Sequence, residues 1–132
     1  TERTIPDPVR MDGKKIIDRW EKIVSEASKQ CLRSVPALIE PPVYLKDVFS
    51  MDISDLKIIC HPGAGTPIKQ VLNSSVKKEK ISLLIGPEGG FSDREIANAG
   101  KAGWIAANFG ATNLRAETAA MVLPSIVVYE WS

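Results

Sequence analysis

LLIGPEGGFSDREI, residues 83–96, decides the fold. An apolar run stops at a loop of three glycines and a proline around one acid, Glu88. Ser92, followed three positions later by Glu95, has the spacing of a capping box, in which each residue satisfies a backbone donor of the other. The stretch therefore reads as strand, glycine loop and helix, with the strand over 81–85 and the helix over 93–101. Such a loop ordinarily invites a phosphate, because bare N–H groups and a helix N-terminus attract anions. Glu88 repels one, so the loop reads either as a plain structural turn, with glycines at positive φ, or as the wall of a site for some other ligand.

The same grammar recurs on both sides. LKIIC, residues 56–60, predicts a buried strand that ends in the loop HPGAGTP, residues 61–67, and Pro67 suits the first turn of a short helix over 67–72. Residues 103–109 predict a third strand, and residues 116–131 a mostly apolar terminal helix in which Pro124 predicts a kink or a break. Toward the N-terminus, Ile16, Trp20, Ile23, Val24, Ala27 and Cys31 share one face of a helix over 15–33, and residues 44–49 form a short helix. Glu26, Gln30 and Arg33 form a separate polar stripe on the long helix, either facing solvent or edging a cleft.

Strands alternating with helices imply an α/β domain with a mainly parallel sheet and helices on both faces. Ligands bind such sheets at the carboxyl ends of the strands. The loops 61–67, 86–91 and 110–113 all follow predicted strands, so they meet at one edge, and that edge is the site.

Composition sets the limits. The chain has 132 residues, 44% hydrophobic and 25% charged, as expected for one globular domain with a real core. No apolar run approaches the roughly 20 residues needed to cross a bilayer. A soluble, cytoplasmic protein is expected, with an organelle left open because a transit peptide would lie upstream. Cys31 and Cys60 lack metal-ligand spacing and read as buried small apolar residues; no metal is expected. The net charge of +1 supplies no global argument for a nucleic-acid partner. Lys14, Lys15, Arg19 and Lys22, and Lys77, Lys78 and Lys80, form local clusters that read as solvated faces.

Neither a G-x-G-x-x-G fingerprint nor a P-loop is present, which lowers dinucleotides and triphosphates on the list of ligands. IGPEGGFSDREI followed by NFGATNLRAETAA is a more specific combination. Together with RWEKIVSEASKQCLRSVP upstream, matching an E-A-x-x-Q-x-x-R pattern, and TERT at the start, these motifs resemble the ribosomal RNA small subunit methyltransferase E family of the SPOUT superfamily. The resemblance covers essentially the whole chain. It implies a C-terminal trefoil knot, a homodimer, and S-adenosylmethionine-dependent methylation of N3 of a uridine in 16S ribosomal RNA. An RNA-binding or assembly fragment without catalysis, and a SPOUT enzyme acting on another RNA, are the alternatives.

A cationic, phosphate-free cofactor is electrostatically compatible with a loop that carries Glu88. On the resemblance, Leu84, Gly86, Glu88, Gly90, Phe109, Gly110, Asn113 and Leu114 are the cofactor-binding candidates, with Leu84, Phe109 and Leu114 as apolar walls. Methylation at N3 requires loss of the imide proton, so the uridine anion must be stabilised. Arg115 is the candidate stabiliser, and Glu117 orients it or takes the proton; a helix-terminal ion pair is the plain reading of both. Glu88, just before a helix start, is a poor base and a better structural acceptor. Arg3, Glu26, Gln30, Arg33 and His61 are the candidates for contact with small-subunit ribosomal RNA, His61 reading equally as an ordinary loop residue.

Two departures from the pattern are expected to matter. The family's N-terminal RNA-binding barrel, and a strand and helix before its T-E-R-S segment, have no counterpart in this sequence, which reads as a truncated form of the catalytic domain. Thr112 and Asn113 stand where the family commonly has Arg-Ile.

Overall fold

The computed structural model describes residues 1–3, 13–31, 35–51, 54–110 and 113–132. Arg33 and Thr112 lie outside the described residues. The element order is α1 (Gly13–Gln30), α2 (Leu45–Ser50), β1 (Leu56–Cys60), α3 (Ile68–Ser74), β2 (Ile81–Ile85), α4 (Asp93–Lys101), β3 (Ile105–Ala107) and α5 (Ala116–Trp131). The chain divides into two compact units, Thr1–Thr4 with Lys46–Ser132, and Ile5–Leu45.

In the larger unit, β1 is the centre of a three-stranded sheet of order β2-β1-β3. Both pairings are parallel, and Cys60 is opposite Ile85 on one side and Ala107 on the other. The strands therefore end level. Alternation along β1 sends Leu56, Ile58 and Cys60 to one face, where they form a core with Ile68, Val71 and Leu72 of α3 and Ala119, Leu123 and Val127 of α5. Ile59 points to the opposite face and is fully buried. On the α4 side, Phe91, Ala99 and Trp104 are buried, and the Trp104 ring meets Phe49 of α2 edge-on with centroids 6.3 Å apart.

α4 begins as its sequence dictates: Ser92 Oγ accepts from the Glu95 N–H at 3.2 Å while Glu95 Oε2 accepts from the Ser92 N–H at 2.9 Å. The third strand is shorter than the expected 103–109, because both ends of that stretch are used elsewhere. Trp104 N–H donates back to the Ala99 carbonyl at the end of α4, after Gly103 at φ 82°. Asn108 bonds to the loop after β1.

Several expectations are corrected. Cys31 is exposed and only Cys60 is buried; both are free thiols. The helix continues through Pro124 without a break, with Pro124 on its exposed side. The next residue, Ser125, donates its hydroxyl to the Met121 carbonyl at 2.8 Å. On the apolar terminal helix, Ile126 and Trp131 pack against the core, whereas Met121, Val122, Val128 and Tyr129 are exposed.

In the smaller unit, Trp20 and Ile23 remain exposed on α1. No helix among the described residues is long and apolar enough to cross a membrane.

Candidate functional site at the carboxyl edge of the sheet

Because the strands end in register, the loops after β1, β2 and β3 leave from one edge. The order β2-β1-β3 is also a switch in strand order: the chain passes from β1 outward to β2 and then returns to β3 on the other side of β1, so β1 and β3 end side by side.

Asn108 joins the two loops that flank this switch. Its N–H donates to the Thr66 carbonyl at 2.9 Å, and its own carbonyl accepts from the Ile68 N–H at 2.7 Å. Its side-chain Nδ2 donates to the Ala64 carbonyl at 2.6 Å, and Oδ1 accepts from the Gly110 N–H at 3.3 Å. The sequence reading missed this residue. An Asn at a strand end, two positions before Gly110, was the available signal, since its short amide substitutes for backbone partners in turns.

His61 follows β1 directly, its N–H donating to the Ala107 carbonyl at 2.9 Å. Its ring lies over Gly63, where an added Cβ would come within 2.9 Å of Nε2. Among the described residues the buried Nδ1 has no hydrogen-bond partner.

The glycine loop after β2 is held by packing. The buried Phe91 ring lies across Gly86, leaving only 3.1 Å for a Cβ there. Gly90 N–H donates to the Pro87 carbonyl at 2.8 Å, closing a turn that puts Glu88 in solvent, and Gly90 has φ 68°. Positive φ is accessible to glycine at little cost. The capping box engages the Ser92 and Glu95 N–H groups beside this loop, and the first turn of α4 carries Asp93 and Glu95. Both features work against a phosphate.

Arg3 lies against this same loop. Its Nη1 donates to the Gly89 carbonyl at 2.8 Å, and the adjacent Glu2 N–H donates to Glu95 Oε1 at 2.7 Å.

Gly110, at φ 119°, starts the third loop and is exposed, as is Asn113. Phe109 and Leu114 are half-buried against the core formed by β1, α3 and α5. Leu84 alternates with Leu83 and Ile85, which pack on that core, so its side chain is on the opposite face of the sheet. The three expected apolar walls are thus divided between two faces. Arg115 is the N-cap of α5, exposed and extended (φ −62°, ψ 152°), with no side-chain capping bond. Glu117 is exposed in the first turn, and among the described residues no ion pair joins it to Arg115. The open donors of that turn and the guanidinium together make the start of α5 electropositive.

In the smaller unit, Glu26 and Gln30 are exposed on α1, and Glu26 pairs with Lys29 at 3.0 Å. A cleft of about 390 Å³ in that unit lies between α1 and residues 36–40, with Val24, Ser25, Ser28 and Leu38 in its lining. Among the described residues no group of three or more His, Cys, Asp or Glu is placed to hold a metal ion.

Residues 1–128 match the RNA methyltransferase domain family. The chain belongs to this family. Its relatives within it include the ribosomal RNA small subunit methyltransferase E of Mesomycoplasma hyopneumoniae, 34% identical over 113 residues, a match spanning 85% of this chain and 48% of that protein. Among solved structures, a methyltransferase from Legionella pneumophila in complex with the cofactor SAM superposes with a TM-score of 0.88 and 32% identity, over 98% of this chain and 52% of that one. The ribosomal RNA small subunit methyltransferase E of Neisseria gonorrhoeae, bound to S-adenosyl methionine, gives a TM-score of 0.86 and 25% identity, over 99% and 52%. The family resemblance read from the G-P-E-G-G and L-R-A-E-T-A motifs is borne out. The chain spans about half the length of the relatives it matches.

Proposed function

We propose that this chain is the catalytic part of an S-adenosylmethionine-dependent methyltransferase acting on N3 of a uridine in small-subunit ribosomal RNA. The observation that carries the reading is the level ending of β1, β2 and β3, which gathers three loops at one edge around a switch point. Relatives of the same family and fold bind this cofactor.

The residues present fit it. The glycine loop, with Glu88 in solvent and the α4 N-terminus capped, disfavours phosphate and tolerates a sulfonium. Added Cβ atoms at Gly90 and Gly110 would meet nothing within 4 Å among the described residues, which leaves bare backbone facing open space at both loops. Backbone at Leu84, Gly86, Gly90, Gly110 and Asn113 would hold the adenosine, with Phe109 and Leu114 as apolar wall. When bound, the cofactor supplies an electrophilic methyl group.

The chain's own contribution is electrostatic. Loss of the N3 proton leaves negative charge on the uracil carbonyls, and Arg115 at the electropositive start of α5 is suited to stabilise it. Glu117, one position into the helix, is the candidate to orient Arg115 or accept the proton. The base must be presented unpaired or flipped, with Glu26, Gln30 and His61 as candidate RNA contacts. The exposed apolar residues of α5, Met121, Val122, Val128 and Tyr129, support a homodimer. The knot and the companion RNA-binding barrel belong to the same proposal, carried by the family.

Mass spectrometry of small-subunit ribosomal RNA from cells lacking the full-length protein tests the target. Loss of N3-methyluridine is expected; its persistence refutes the assignment. Calorimetry with S-adenosylmethionine tests the pocket, and no binding at millimolar cofactor sinks the enzyme reading for this chain.

A further inference from the structure

We infer that Arg3 is a positioning residue for the glycine loop: it clamps Gly89 and thereby holds the backbone that faces the cofactor. The part concerning the cofactor rests on the function proposed above.

The clamp has three components. The guanidinium Nη1 donates to the Gly89 carbonyl at 2.8 Å, a charge-assisted bond to the middle of the loop. The Arg3 stem crosses the bare face of Gly89, where an added Cβ would come within 3.1 Å of Arg3 Cβ and 3.6 Å of Cδ. The preceding residue fixes the direction of approach, because the Glu2 N–H donates to Glu95 Oε1, and Glu95 is itself buried at the start of α4. Thr1 Oγ1 accepts from the Arg3 N–H at 3.2 Å and tightens the turn. The loop is thus closed internally by the Gly90–Pro87 bond and held from outside by Arg3 on the next carbonyl but one.

This accounts for two features of the glycine loop at once. Gly89 is not at positive φ, so its conformation does not call for glycine; an added Cβ would instead press on the arginine stem, which would have to give by a few tenths of an ångström. The carbonyl of Gly89, exposed at the tip of a tight turn, also gains a fixed cationic partner. A loop whose carbonyls and N–H groups face a ligand binds more tightly when it is already held in the bound geometry.

The test compares the chain with Arg3→Ala, Arg3→Lys and Gly89→Ala by hydrogen–deuterium exchange without cofactor and by calorimetric titration with S-adenosylmethionine. Loss of one exposed, charge-assisted bond corresponds to about a fivefold effect. Arg3→Ala is expected to speed exchange of the Gly90 amide about fivefold. Exchange in the central strand stays unchanged and cofactor Kd rises by a similar factor. Arg3→Lys, with one donor on a comparable stem, restores part of both effects, and Gly89→Ala shifts both in the direction of Arg3→Ala. Unchanged loop exchange in Arg3→Ala overturns the clamp, as does faster exchange spread over the whole sheet. Weaker binding of a ribosomal RNA fragment with loop exchange and cofactor affinity intact would make Arg3 an RNA contact instead. If the unaltered chain binds no cofactor, the proposed function fails, and the exchange measurement still decides the clamp.

Discussion

Glu95 Oε1 accepts the Glu2 N–H at 2.7 Å across a separation of 93 positions, while its other oxygen accepts the Ser92 N–H of its own helix cap. One buried carboxylate therefore performs a local task and a long-range one. Removing it as Glu95→Ala abolishes both bonds and leaves two backbone donors to find water. A loss of about 1–2 kcal/mol is expected, measured as a lower urea midpoint. Glu95→Gln keeps an acceptor oxygen and should lose less; equal midpoints for Glu95→Ala and the parent would show that neither bond contributes.

Asn108 makes the corresponding junction at the switch point. Its amide reaches the Ala64 carbonyl and the Gly110 N–H, in addition to the backbone pairing of the same two loops. Asn108→Ala is expected to cost about 1–3 kcal/mol and to weaken cofactor binding. Asn108→Asp keeps the acceptor for Gly110 but sets a carboxylate against the Ala64 carbonyl, so it should not rescue. A wild-type cofactor titration for either variant would remove Asn108 from the site.

The two cysteines differ in exposure, and their reactivity should follow. Burial pushes the Cys60 thiol up from 9.0 to about 12, because the thiolate is poorly solvated in the core. The neutral thiol stabilises the fold fully below the unfolded value of 9.0, and this contribution is lost as pH rises toward and through about 12. At about pH 8, iodoacetamide should label the exposed Cys31 in the native chain and reach Cys60 only after unfolding in urea. Native labelling of Cys60 at the rate of Cys31 would contradict the burial.

Arg115 is exposed at the start of α5 and takes no part in the core. Arg115→Ala should therefore fold normally, keep cofactor affinity largely intact, and lose turnover by a factor on the order of 10²–10³. Arg115→Lys should restore little, since an ammonium cannot present the planar fork of a guanidinium. Turnover equal to that of the unaltered chain would take Arg115 out of the proposed methyl transfer.

Much of the local structure was legible in the residues. LKIIC and ISLLI are short apolar runs bounded by turn formers, and they became β1 and β2 at the expected positions. The Ser92–Glu95 pair announced α4 to the residue, because a capping box is a local hydrogen-bonding unit that needs no tertiary partner. Faces and partners were less legible. The periodicity of α1 suggested burial for Cys31, which is exposed; the spacing reports which residues share a face, not whether anything covers it. On α5, apolar residues occur all round, so nothing in the pattern separated Ile126 and Trp131, packed on the core, from Met121 and Tyr129 in solvent.

The sequence by itself determined the order of elements, the family and the glycine loop with Glu88, since each depends on residues close together along the chain. Only the tertiary structure decided that β1 is the central strand, that Asn108 ties the first loop to the third, and that Arg3 and Glu95 secure the second. The physical reason is separation along the chain. A hydrogen bond between groups 44, 86 or 93 positions apart leaves no periodicity or spacing in the sequence, and exists only once the strands have paired and brought their ends to one edge.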